Sequence, residues 1–164
     1  MTVPANSERT TESKTVGMGQ IALGAPPVCL TAVLGSCIGT TLYHQRLRLG
    51  MLAHVILPHN FGHGEAPGKF GDTAVPQMLE ILKQHGAAPG ELVAKIIGGA
   101  SMFDSGRPVQ VGRDNVNAAS EAIKLAGIPL VATEVGGNIG RRISLDCSTG
   151  LVTVESIGRP PRTV

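Results

Sequence analysis

The sequence has no tryptophan, one tyrosine and three phenylalanines in 164 residues. With only Tyr43, Phe61, Phe70 and Phe103 as aromatic rings, the core must be built from Val, Ile, Leu and Ala. Stacking platforms for single-stranded nucleic acid lack their material. The three cysteines, Cys29, Cys37 and Cys147, are an odd number with no CxxC pair, which argues against a disulfide framework or a zinc knuckle. No apolar run approaches the roughly 20 residues of a membrane span, so membrane insertion is not expected. The opening stretch MTVPANSERTTESK lacks the apolar segment of a secretory signal, and cytoplasmic residence is the default. A dominant charge is missing too: a net +2 is too weak to argue for nucleic acid or membrane binding.

What is present is an ordinary globular composition, 42% hydrophobic and 16% charged. The length suits one domain with a core that needs no staples. The 22 glycines and 11 prolines predict frequent tight turns. Residues 1–14 read as a disordered N-terminal segment, 15–157 as the domain, and 158–164 as a flexible Pro- and Arg-rich tail. Strand patterns are expected over 15–21, 28–34, 38–43, 49–57, 92–97, 129–135, 142–147 and 151–156. Helical spacing marks 72–85, with Asp72 or Thr73 as its cap, and 114–126, closed by Gly127. Residues 59–71 read as a loop. Strands bunch at both ends of the chain without strict βαβ alternation, so the expected class is α+β.

Among chemistry-bearing residues, Cys29 and Cys147 lie in strand patterns and read as small buried hydrophobes. Cys37 differs, because it follows Gly35-Ser36 at a break between strands. A glycine there turns backbone N–H groups toward a ligand, which suits an oxyanion site and a thiolate. Alone, Cys37 fits a structural thiol equally well. His54 is a polar residue inside Met51–Leu57, as fits a satisfied core histidine or a base. A hairpin turning near His44–Arg48 would bring Cys37 and His54 to the same end. A thiol with an ordinary pKa of about 8.5 needs such a base at neutral pH. Thr31, six residues before Cys37, is a candidate third member, although a β-branched threonine suits any strand.

Other candidates are weaker. His59, His63 and Glu65 have ligating side chains, but solvated histidines are common in such loops. His44 and His85 read as surface residues, Asn115 as a helix cap, and Arg141 and Arg142 as a steering patch or a solvated edge. Gly98-Gly99 and Gly136-Gly137 match no phosphate-binding motif.

Five motifs stand in order: Leu34-Gly35-Ser36-Cys37-Ile38; Gly50-Met51-Leu52-Ala53-His54-Val55-Ile56-Leu57-Pro58; Ala94-Lys95-Ile96-Ile97-Gly98-Gly99-Ala100 with Met102-Phe103; Gly112-Arg113-Asp114-Asn115; and Val135-Gly136-Gly137-Asn138-Ile139-Gly140-Arg141. Together, over roughly residues 15–156, they resemble the CheD family of chemoreceptor glutamine deamidases. The resemblance implies an α/β/β layered sandwich with two main helices packed on strands. It implies a Cys–His–Thr triad at Cys37, His54 and Thr31, with oxyanion donors in the backbone at Ser36 and Cys37. It implies no metal or organic cofactor. The expected substrate is a glutamine on the cytoplasmic helical domain of chemotaxis receptors, converted to glutamate through a cysteine thioester. A CheC-type phosphatase is an expected partner, and a non-catalytic regulator of that phosphatase is the alternative reading. One departure is Phe70, where the family commonly has a tyrosine.

Overall fold

A computed structural model describes residues 10–62, 64–101 and 110–164. In chain order the strands are β1 (Glu12–Thr15), β2 (Ile21–Gly24), β3 (Val28–Leu34), β4 (Ile38–His44) and β5 (Leu49–Val55). Helix α1 (Gly71–Gln84), β6 (Leu92–Gly98) and helix α2 (Val111–Leu125) follow, then β7 (Leu130–Val135), β8 (Arg141–Asp146), β9 (Val152–Ser156) and β10 (Arg159–Thr163).

The strands form two five-stranded sheets. The middle sheet runs β2-β5-β4-β6-β7 and the outer sheet β1-β3-β8-β9-β10. Both helices lie on the free face of the middle sheet. Met78 and Leu82 of α1 and Ile123 of α2 pack there against Ile38, Leu42, Met51 and Ile96. A second apolar layer fills the space between the sheets, with Leu30, Leu34, Leu52, Ile97, Ile143 and Val154. The result is the expected α+β architecture in α/β/β layers. β4, central in the middle sheet and covered on both faces, is buried at all seven positions. Aliphatic residues suffice for two such layers, since strand alternation feeds both from one sequence: Met51, Ala53 and Val55 of β5 face the helices, while Leu52 faces the outer sheet.

Three expectations are corrected. The segment 15–21 is not one strand: β1 belongs to the outer sheet and β2 to the middle one, and Val16 lies on the crossing between them. Within 1–14, Glu12–Lys14 pair in parallel with Val28–Leu30 of β3, while residues 1–9 lie outside the described residues. The expected loose tail is an edge strand, β10, paired with β9 and closed by reciprocal bonds between Val164 and Val152 at 2.9 and 3.0 Å. Its register shifts between Arg159 and Arg162, where Pro160 and Pro161 cannot donate; an edge tolerates that. Both strands are held through backbone groups, which leave no alternation in the side chains.

Candidate active site

β3 and β4 lie in different sheets, so Gly35-Ser36-Cys37 carries the chain from the outer sheet to the middle one. Three consecutive carbonyls of this crossing are tied down. Ala100 N–H donates to Gly35 at 3.0 Å and Gly99 N–H to Cys37 at 2.9 Å. The Asn115 side chain donates to Ser36 at 3.3 Å. Cys37 is half-buried, its side chain against the layer between the sheets. Burial pushes its thiol pKa up, and its own backbone N–H partly counters this. The resting group is therefore a thiol that needs a base.

His54 presents an imidazole held by a backbone carbonyl. It stands opposite Gly39 in the antiparallel β4–β5 pair, and Cys37 lies in the bend just before β4, so the two residues are at the same end of that pair. By alternation from Leu52, His54 also faces the layer between the sheets. Its backbone is fixed at both ends, N–H to Gln20 at 3.0 Å and carbonyl from Gly19 at 2.8 Å. Its ring Nδ1 lies 2.9 Å from the Val16 carbonyl, which can only accept, so Nδ1 carries a proton and the lone pair of the neutral ring falls on Nε2. That Nε2 is buried without a hydrogen-bond partner.

Thr31 is placed elsewhere. Leu30, Ala32 and Leu34 fill the layer between the sheets, so the Thr31 side chain projects from the opposite face of β3. There it lines a surface groove with Ser13, Arg142 and Ser144, and its hydroxyl approaches Thr15 Oγ1 at 3.4 Å and the Lys14 carbonyl at 3.5 Å. The hydroxyl makes no bond to His54. The connection is through the backbone: Val16 N–H donates to the Thr31 carbonyl at 2.7 Å, and the Val16 carbonyl accepts from His54. A carbonyl contributed by a valine leaves no signature in a sequence, so Val16 was not legible there.

The family model described as CheD chemotactic sensory transduction matches residues 56–156. A probable chemoreceptor glutamine deamidase CheD of Methanococcus vannielii is 39% identical over 85% of this chain and 92% of its own length. The chain belongs to the CheD family. The chemoreceptor glutamine deamidase CheD of Thermotoga maritima is 40% identical, over 88% of this chain and 92% of its own length. Among solved structures, Bacillus licheniformis hypothetical protein YfiH aligns over 78% of this chain and 61% of its own with a TM-score of 0.48 at 14% identity.

Around this CheD-family site several minor expectations change. Asn115 is no helix cap; it is the fifth residue of α2 and fully buried. His44 is buried rather than on the surface, bonded to Glu91 at 2.7 Å and to Leu47 N–H at 3.1 Å. Arg141 is buried in an ion pair with Glu134, which also binds Arg162, so it steers nothing. Neither Asp72 nor Thr73 caps α1 with its side chain: Asp72 accepts from Asn60 N–H, and Thr73 donates to the Pro67 carbonyl. Phe70 is buried at the α1 N-terminus. His59 lies 3.5 Å from Asp72 and against the Phe61 ring, and Glu65 pairs with Lys69. His63 lies outside the described residues. Among the described residues no three His, Cys, Asp or Glu side chains form a metal-holding group, and no helix is long and apolar enough to cross a membrane.

Proposed function

We propose that this protein deamidates glutamine side chains on the cytoplasmic helical domain of chemotaxis receptors. The observation that carries the reading is the state of His54: Nδ1 locked onto the Val16 carbonyl, and Nε2 buried, unpartnered and on the face that Cys37 shares. An imidazole held in that way is a general base waiting for a proton.

In the proposed reaction Cys37 Sγ attacks the carboxamide carbon while His54 Nε2 takes the thiol proton. The Cys37 N–H, in the Ser36–Cys37 peptide, is the backbone donor for the oxyanion. The C–N bond then breaks, His54 returns the proton to the departing nitrogen, and ammonia leaves a thioester. Water, deprotonated by His54, adds to the thioester, and glutamate and the free thiol are released. Every step uses groups of this chain and water, so no cofactor enters. Thr31 contributes through its carbonyl, by fixing the Val16 peptide that orients His54.

The protein acts in the cytoplasm on this reading, without nucleic acid. A CheC-type phosphatase is its second partner. The loop after β5, where Phe61 stands exposed, offers that partner an apolar contact. The experiment is mass spectrometry of a receptor cytoplasmic fragment incubated with the protein. The expected result is the mass gain of an NH2-to-OH exchange at particular glutamines, absent with Cys37→Ala. An unchanged fragment with folded protein refutes the reading. Incorporation of an added amine at the same glutamines would indicate a transglutaminase instead.

A further inference from the structure

Asn115 sits on α2, outside every strand that carries the site, yet its carboxamide touches both catalytic segments. Its Nδ2 donates to the Ser36 carbonyl at 3.3 Å and to the Ile56 carbonyl at 2.9 Å. One acceptor directly precedes Cys37; the other lies two residues after His54. A carboxamide has two N–H donors, and both are engaged. The reverse orientation would set Oδ1 against two carbonyl oxygens, so chemistry decides which way the amide faces. The arrangement has a visible cost, because Oδ1 is then buried without a partner. A core position serving only packing would be filled by an apolar residue, as at Ala118, Ala119 and Ala122 nearby on α2.

The bond to Ser36 also has a consequence for Cys37. The Ser36 carbonyl and the Cys37 N–H belong to one planar trans peptide and point in opposite directions. Holding the carbonyl toward α2 turns the N–H away from α2. The Cys37 side chain lies on that far side as well, against the layer between the sheets, and the N–H lowers the thiol pKa there. We propose that Asn115 is the positioning residue of this site: it aims the Cys37 N–H at the oxyanion and ties the Cys37 and His54 segments to one another. The inference rests on the deamidase reading above.

The test uses the full chain with Asn115→Ala, Asn115→Asp and Asn115→Ser, and Ile123→Val as the control on the same helix. Two quantities are measured: receptor deamidation as separate kcat and KM, and the pH profile of Cys37 alkylation by iodoacetamide, which needs no receptor. Loss of aim in the alanine and aspartate variants should lower kcat by about 10- to 100-fold with KM little changed. The alkylation midpoint should move to higher pH, since the thiolate loses its N–H. Asn115→Ser, which keeps one donor, should fall between, and Ile123→Val should match wild type in both. Wild-type kcat and alkylation midpoint in folded Asn115→Ala overturn the proposal. If that variant does not fold, the same values in Asn115→Ser overturn it. Absence of turnover by wild type refutes the deamidase reading, while the alkylation profile still tests the aim of the N–H.

Discussion

Replacing Gly98 by alanine should damage the site from behind. Gly98 ends β6 opposite Ile38, with a φ of 108° that L side chains rarely adopt. A Cβ built there lies 2.5 Å from the Cys37 carbonyl oxygen, a backbone atom that cannot rotate away. Relieving that contact to 3.0 Å requires about 0.5 Å of movement, and ordinary contact at 3.4 Å about 0.9 Å. The Cys37 segment must move or β6 must separate from it. Left-handed strain costs about 1–2 kcal/mol, and overpacking a filled site about 1–3 kcal/mol more. A displacement of this size at a reacting group also lowers turnover by up to about 100-fold. Gly86→Ala is the matched comparison. Gly86 has a φ of 77° with no neighbour within 4 Å of a built Cβ, so it carries the strain without the collision. It should lose about 1 kcal/mol and keep full turnover. Urea denaturation gives the stabilities, and deamidation of a receptor fragment gives the rates. Wild-type turnover in folded Gly98→Ala, or equal loss in the two variants, would refute the argument.

Further outcomes are expected. Cys37→Ala and His54→Ala should each abolish deamidation while retaining a cooperative unfolding transition; residual turnover above a protein-free control would remove either from its role. Thr31→Val should keep most of the activity, because it deletes a hydroxyl that does not reach His54 and keeps the carbonyl that holds Val16; loss as large as that of His54→Ala would show that the hydroxyl is needed. Limiting iodoacetamide should label half-buried Cys37 well before Cys29 and Cys147, faster as pH rises from 7 to 9, since burial raises all three thiols and holds Cys147 at about 11. Mass mapping of the adducts checks the order, and equal labelling of the three in folded protein would contradict it. Raised thiol pKa values also mean that the native state holds these protons more tightly than the unfolded chain, so stability should fall above pH 9; in Cys147→Ala the alkaline loss should shrink.

The sequence alone determined which residues form most of the secondary structure and which are the candidates for the chemistry. Val28–Leu34 is the strand its apolar run predicts, and α1 and α2 follow their 3.6-residue spacing, because burial of side chains writes its period into a sequence. Cys37 and His54 were legible for the opposite reason, as a thiol at a glycine-marked break and an imidazole in an apolar run. Features held by backbone groups were not legible. β1 and β10 join sheet edges through N–H and C=O groups that every residue has, so Ser13 or Pro160 gives no hint of pairing. The group that orients His54 is the carbonyl of Val16, and any residue at that position would offer the same atom. Tertiary structure alone decided that the Thr31 hydroxyl faces away from His54, because the face a strand buries depends on which sheet covers it. It also decided that Asn115, 78 residues after Cys37 in the chain, reaches the peptide beside it, since only the packing of α2 on the middle sheet brings them together.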